Sequence, residues 1–445
     1  MGSLQKPNRR LFLRWVALVV AAGALEGCGR RAPTPAGKDG SKVSRTPPGA
    51  SASKIRLVYG RPTGTEFDLL GKLAKGFTET AEGARYEVED MAITGDPIAR
   101  LRTLEAAGTG PDVHIQTDET IPDWARNGLL LALDPFLVAD TKFDLGDFYE
   151  HSLANARYRG QLWALPWSCA GAYLFINRNL FEAAGVALPK PDWSWDDYKV
   201  AAAKLTIAEQ NQWGAAPVTN WWQMAERIWQ NGAEVFDAPR TTCLLDSERA
   251  MEAMEFWTSL AVADKVAPNA SAMGAGGAAR LFLNGKLAMY EEGLYALLGL
   301  RQAPFKWSLA YLPYRRRKAN MLWSGSQVIS ARTKQANGAW LLLKHITGPD
   351  ALRTVSATLK VPCARKSVDA KRPYVDPSID IDWGLVPQGV ENGRLLEVTP
   401  RNDQVSRLLG RMLATMMAGT QTVAEVVKDT LPQINALLSA AQGTS

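Results

Sequence analysis

Glu291 and Glu292 are the acidic pair in this chain that most suggests chemistry, because cleavage of a glycosidic bond needs two carboxyl groups on either side of it. Adjacency defeats that use, since neighbours along an extended chain point to different sides. The cluster from Gly274 to Ala279 superficially resembles a dinucleotide-binding turn, but no strand precedes it, and a flexible connecting loop is the expectation. His114, His151 and His345 lie far apart with no partner at metal-ligand spacing, so each reads as a structural residue. Cys169, Cys243 and Cys363 are odd in number and widely separated, which allows one disulfide at most and makes buried free thiols the expectation. There is no nucleophile elbow, zincin helix or phosphate loop. The sequence therefore predicts a protein that is not an enzyme and has neither metal site nor cofactor, which leaves binding as the function to be placed.

The elements that would position a binding site begin only after a leader. Arg9 and Arg10 stand before Leu11, Phe12, Leu13 and Arg14, and the apolar run Trp15 to Leu25 follows, the pattern of a twin-arginine export signal. A run of this length falls well short of the roughly 20 residues a membrane-crossing helix needs. It ends in Leu25-Glu26-Gly27-Cys28, which resembles a bacterial lipobox with Cys28 as the lipidated residue. Glu26 departs from that pattern, where a small or apolar residue is usual, and an unmodified thiol beyond an ordinary signal cut is the alternative. Residues 28–53 are rich in Pro, Gly, Ser, Ala and basic residues and read as a disordered tether. Of the formal charge of +6, +3 falls on residues 1–27 and +4 on residues 28–53, leaving −1 on 54–445. The basic balance is thus peripheral and gives no reason to expect a nucleic-acid partner. Arg315 to Lys318 is the one concentrated basic run and reads as a solvated loop.

The remaining body of about 390 residues is too long for one core and suits two domains. Short apolar runs alternate with amphipathic segments, which predicts α/β architecture with mostly parallel strands. Strands are expected at Ile55–Tyr59, Tyr86–Met91, Val113–Gln116 and Ala215–Thr219, with helices at Phe67–Thr80 and Pro97–Ala107. Four groups of residues carry a resemblance along this body: Gly110 to Val113 with Trp124 to Asp134; Tyr158 to Pro166 with Tyr173 to Phe181, Ala184, Gly185 and Trp195; Phe282 to Met289; and Trp323 to Gly325 with Ala339 to Ile346, Val361 and Pro362. In order and spacing they are similar to the extracellular solute-binding proteins of ABC importers, the family that includes maltose- and other sugar-binding proteins. The resemblance implies a two-lobed periplasmic-binding-protein fold, each lobe a mostly parallel sheet flanked by helices. It implies lobes of 54–165 plus 321–360 and of 169–310 plus 369–445, with hinge crossings near 162–176, 305–314 and 361–368.

Solutes bind beyond the carboxyl ends of strands and where domains meet. With that placement the resemblance implies contacts from Arg61, Thr63, Gln116, Asp118, Trp167, Ser168, Asn220, Trp222, Tyr295, Trp323 and Ser324. Such a set suits a sugar, whose C–H face packs on an aromatic ring while its hydroxyls pair with carboxylate and amide groups. The body has 14 of the chain's 15 tryptophans, more than one cleft can use. Trp195, Trp257 and Trp340 fall on helical segments and read as core, and Trp163 reads as packed in the hinge strand. Asp118 has an alternative use as a helix cap ahead of Glu119 to Arg126. The partners implied are a carbohydrate solute, the membrane subunits of an ABC permease and the membrane through the lipid anchor, for a monomer held outside the cell membrane. The alternatives are the same fold with a sugar phosphate, polyol or polyamine, Arg61 leaving room for an anionic solute, and a carbohydrate-active enzyme.

Overall fold

The apolar run Ile55–Pro62 forms strand β1, and the burial of five consecutive residues in it marks a strand covered on both faces. The computed structural model describes residues 54–399 and 401–440; the segments expected to be an export signal and a tether, and Cys28 with them, lie outside the described residues. β2 (Tyr86–Ile93) runs parallel to β1, from Ile55 opposite Tyr86 to Pro62 opposite Ile93, and β3 (Val113–Thr117) joins the other edge in parallel. Helices Thr65–Gly76 and Pro97–Ala107 make the crossovers that parallel pairing requires. The second is delimited by local chemistry: Asp96 accepts bonds from the amides of Ile98 and Ala99, Pro97 occupies the first turn, and Gly108 closes the helix at φ 69°.

A small hairpin of β4 (Arg157–Tyr158) and β5 (Gln161–Leu162) leads into β6 (Ala164–Pro166). β7 (Ala170–Asn177), buried along its whole length, opens a second sheet. β8 (Met289–Gly293) lies antiparallel on one side of it. On the other side β9 (Trp307–Ala310) pairs with the end of β7 and β10 (Asn320–Trp323) with its beginning, both antiparallel. β11 (Gly325–Ile329) returns to the first sheet and inserts antiparallel between β3 and β6, giving the order β2-β1-β3-β11-β6. β12 (Gly393–Arg394) lies parallel to β10.

The chain thus adopts the expected two-lobed α/β class, but the pairing sense of the second sheet is mostly antiparallel. The cause lies between β7 and β8, a stretch that supplies helices and no strand of that sheet. Ala215–Thr219, expected as a strand, is an extended loop: Pro217 has no N–H to give a ladder, and the amide of Ala215 bonds the carbonyl of Val266. Gly274–Ala279 is not a loop. It is a 3-10 turn, Gly274–Gly276, running into helix Gly277–Leu283, with the positive φ of Gly274 and Gly277 making the joints.

Helices Ala336–Ile346 and Pro349–Leu359 cover the first sheet, burying Leu342, Leu343 and Val355 against Leu57, Tyr59 and Val328. In the second lobe Trp195, Trp229, Trp257, Met289 and Met321 form a core with helices Asn402–Ala418 and Val423–Ala440. Trp195, Trp257 and Trp340 are buried as expected, and Trp163 is half-buried with its Nε1 donating to the carbonyl of Tyr158. Cys169, Cys243 and Cys363 are free and buried. The basic run is paired, Arg315 and Arg316 with Glu252 and Arg317 with Glu234. No helix among the described residues is long and apolar enough to cross a membrane.

The chain changes sheet at Trp167–Cys169, between β6 and β7, and again at Ser324, between β10 and β11. The expectation of a crossing near 305–314, with Met321–Trp323 in the first lobe, is corrected here. Leu322 and Trp323 are paired to Gly171 and Ala170, so they belong to the second sheet. Cys363 forms a bridge to Ser168, setting a third segment beside the first crossing.

Candidate functional site between the lobes

The two sheets meet end to end at these crossings. In the first, Thr117 at the end of β3 faces Gly325, and Pro166 at the end of β6 faces Ser326. In the second, Gly293 at the end of β8 faces Ala172, and Trp323 at the end of β10 faces Ala170. Residues following β3, β6, β8 and β10 therefore converge on one seam. Hydrogen bonds hold it: the Trp167 amide to the Gly325 carbonyl at 2.8 Å, the Gly325 amide to Ser168 Oγ at 3.2 Å, and Ser324 Oγ to the Ser152 carbonyl at 3.2 Å. Ser168 and Ser324 are buried parts of this joint. The Trp167 ring lies against Gly325, where an added Cβ would stand 2.6 Å from Nε1. Only glycine lets the indole lie on the backbone here, and Trp167 Nε1 itself has no partner.

On the first-lobe side Gln116 is buried at the end of β3, its Oε1 accepting from Thr120 Oγ1 at 2.7 Å while its Nε2 is unpaired. Asp118, two residues on, is 4% exposed and one carboxylate oxygen has no partner. Burial, with the like charge of Glu119 adding to it, pushes this carboxyl up to about 8. Asp118 does not cap the following helix Ile121–Arg126, whose N-cap is Thr120. Buried polar atoms normally find partners; an unpaired amide, an unpaired carboxyl oxygen and an unpaired indole N–H lie along this seam.

Arg61 is committed elsewhere. Its Nε and Nη2 donate to the two carboxylate oxygens of Asp90 at 2.7 and 3.0 Å, and its Nη1 reaches Asp68. Its charge is matched within its own lobe. Thr63 is exposed beyond the end of β1, its amide directed to the Ile93 carbonyl.

The second-lobe side is aromatic. Trp222 stands in the first turn of helix Trp221–Gln230, which starts at Asn220, where Gln223 Oε1 accepts from the amides of Thr219 and Asn220 at 2.8 and 3.1 Å. Asn220 is thus a capping residue with an exposed side chain. Trp222 meets Trp323 edge to face with centroids 4.9 Å apart, and Tyr295 meets Trp323 in the same manner at 5.7 Å. Tyr295 is 50% exposed and donates its hydroxyl to Glu292 Oε1 at 2.6 Å. Glu292 therefore holds the Tyr295 hydroxyl, while Glu291 points to the other side of β8 and pairs with buried Arg227. The adjacent acids do separate, as the sequence requires.

Sequence reasoning missed Asn155 and the segment around Leu396. Asn155 Nδ2 donates to the Leu396 carbonyl at 3.1 Å, linking the first lobe to the segment that precedes helix Asn402–Ala418 of the second. Arg102 lies 3.5 Å from Asp403 across the same gap. Nothing in the local sequence of Asn155 distinguishes it from a loop asparagine.

Two α/β lobes are joined by several chain crossings, with an aromatic cluster and unpaired polar groups at the seam. Residues 62–352 match the family model for bacterial extracellular solute-binding proteins, and the chain belongs to that family. An ABC substrate-binding protein of Listeria monocytogenes, solved in complex with cycloalternan, shares the fold with a TM-score of 0.79 at 23% identity, over 86% of this chain and 98% of that one. A binding protein of Brucella abortus (strain 2308) is 22% identical over 87% of this chain and 94% of its own length. The erythritol/L-threitol-binding protein of Mycolicibacterium smegmatis is 25% identical over 66% of this chain and 67% of its own.

Proposed function

We propose that this chain is the extracytoplasmic, lipid-anchored receptor of an ABC importer, taking a neutral sugar, oligosaccharide or polyol into the seam between its lobes and presenting it as a monomer to the membrane permease. The observation that carries this is the cluster Trp222, Trp323 and Tyr295 at the same seam as the unpaired polar atoms of Gln116, Asp118 and Trp167. An aromatic face takes the C–H side of a sugar ring, and hydroxyl groups, which both donate and accept, match an unpaired amide together with a carboxyl group. The pairing of Arg61 with Asp90 and Asp68 weighs against a phosphate ester, which would need that charge free. The names of the relatives, which point to a cyclic oligosaccharide and to tetritols, are consistent with this class of solute.

Calorimetric titration of the purified body with maltotriose, erythritol, glucose 1-phosphate and spermidine tests the solute class. Saturable binding of a neutral compound is expected; saturable binding of only the phosphate ester or only the polyamine overturns the reading. The anchor is tested separately: Cys28→Ala should release the protein from the membrane, and failure of the wild type to incorporate labelled fatty acid would remove the anchor and leave the receptor reading standing.

A further inference from the structure

We infer that the buried trio Glu226, Arg227 and Gln230, with Glu291, is a positioning device that sets the mutual geometry of the cleft aromatics Trp222, Trp323 and Tyr295. Each of the four is at most 5% exposed, in the interior of the second lobe. Glu226 lies one helical turn beyond Trp222 on helix Trp221–Gln230. Its Oε2 accepts from the amide of Met321 at 2.6 Å, and Met321 is two residues before Trp323 on the same face of β10. Gln230 Nε2 ties the same helix to the Ala319 carbonyl at 2.9 Å, just ahead of β10. Arg227 pairs with Glu226 and with Glu291, and its guanidinium lies 4.0 Å from the centre of the Trp257 ring. Glu291 is on β8, the strand that delivers Tyr295. One set of charges therefore ties together all three elements that carry the cluster.

A lobe of this size does not need an ion network for stability. Buried charges lose hydration that their mutual attraction seldom more than repays, and apolar residues of similar volume serve as well. What the network supplies is direction: its bonds form in only one register of helix against strand, whereas apolar contacts tolerate sliding. Burial pushes the Glu226 carboxyl up, with Arg227 and the Met321 amide opposing the rise.

The inference rests on the seam being the binding site, yet its test does not require a known solute. Two indoles edge to face at 4.9 Å couple their electronic transitions, so the difference in circular dichroism between wild type and Trp222→Phe isolates the signal of the Trp222–Trp323 pair. Glu226→Leu leaves Arg227 paired with Glu291, so the interior keeps its charge balance and the lobe should fold. We expect that variant to lose most of the pair signal. Glu226→Gln, which keeps an acceptor for the Met321 amide, should restore it. Glu226→Asp keeps the charge but is one methylene too short to span helix to strand, and it carries the same expectation as the leucine variant should that one not fold. A pair signal of wild-type amplitude in a folded Glu226→Leu or Glu226→Asp protein overturns the inference. With maltotriose as probe, the leucine variant should bind at least tenfold more weakly than wild type while unfolding at a similar temperature. If wild type does not bind maltotriose, the carbohydrate reading is weakened and the spectroscopic arm still decides the positioning role.

Discussion

At the scale of single residues, Trp323 is the member of the cluster touched by both others, meeting Trp222 on one side and Tyr295 on the other. Truncating an aromatic in a desolvated pocket typically costs about 2 kcal/mol or more, roughly a thirtyfold loss of affinity. Trp323→Ala should exceed that and Trp222→Ala should approach it, each measured by calorimetry with the neutral solute that binds wild type; unchanged affinity in both, with normal unfolding, would remove them from the site. Asp118 gives a second expectation, with a definite sign. Between its ordinary value of 3.8 and its folded value of about 8 the native chain holds a proton that the unfolded chain has lost. This residue's contribution to stability is therefore complete below about pH 4 and falls away as pH rises towards 8. Asp118→Asn should match wild type in thermal unfolding at the acid end of that window and exceed it at the alkaline end; a gain of equal size at both ends would show that the carboxyl does not titrate in this manner. The sequence singled out Trp222 by the apolar run ahead of it, and Trp323 only through the family resemblance. The commitment of Arg61 to Asp90 was not legible there, since the partners come together only when β1 and β2 pair. Nor was the interior location of Glu226 and Arg227, because charges on a helix ordinarily signal a solvated face.

At the scale of elements, helix Trp195–Leu205 shows how local chemistry sets a boundary. Ser194 Oγ accepts from the Asp197 amide at 3.1 Å, and Asp197 Oδ2 accepts from the Ser194 amide at 3.0 Å. The Ser194 hydroxyl and then its amide, both donating to Asp197 Oδ2, hold that carboxyl below its ordinary value. Ser194→Ala should cost about 1 kcal/mol, read as a lower urea midpoint with unchanged slope; no change would mean that the cap is idle. Helix Pro97–Ala107 was readable from sequence for the same kind of reason, with Asp96, Pro97 and Gly108 in place. Ala215–Thr219 was misread because an apolar run of this length fits a strand and a buried loop equally, and its amides settle the matter only through Val266, far along the chain. The change of sheet at Ser324 was invisible for another reason: Asn320 to Ile329 is almost continuous extended chain, and a single residue redirects it.

At the scale of the molecule, the lobes meet through polar contacts where Arg102 reaches Asp403 and Asn155 reaches Leu396. A solute touching both lobes favours the closed arrangement by its differential affinity. Small-angle scattering should therefore give a smaller radius of gyration with saturating solute than without, and identical profiles would count against hinge closure. Arg102 and Asp403 are both substantially exposed, so the pair contributes roughly 1 kcal/mol at most. Asp403→Asn should weaken solute binding by no more than about fivefold, and less in high salt. The division into two domains followed from chain length, the α/β class from the alternation of elements, and the two-lobed form from the family resemblance. The seat of β11 did not, and it bears on how the protein is made. The chain leaves the ribosome with β1, β2, β3 and β6 complete long before residues 325–329 exist, yet β11 is the strand that lies between β3 and β6. Until more than 300 residues have been synthesised, the first lobe has two open strand edges where its centre should be, and such edges pair readily with other chains. Nascent chains arrested just before residue 325 should accordingly aggregate or recruit chaperones more than chains released after residue 330.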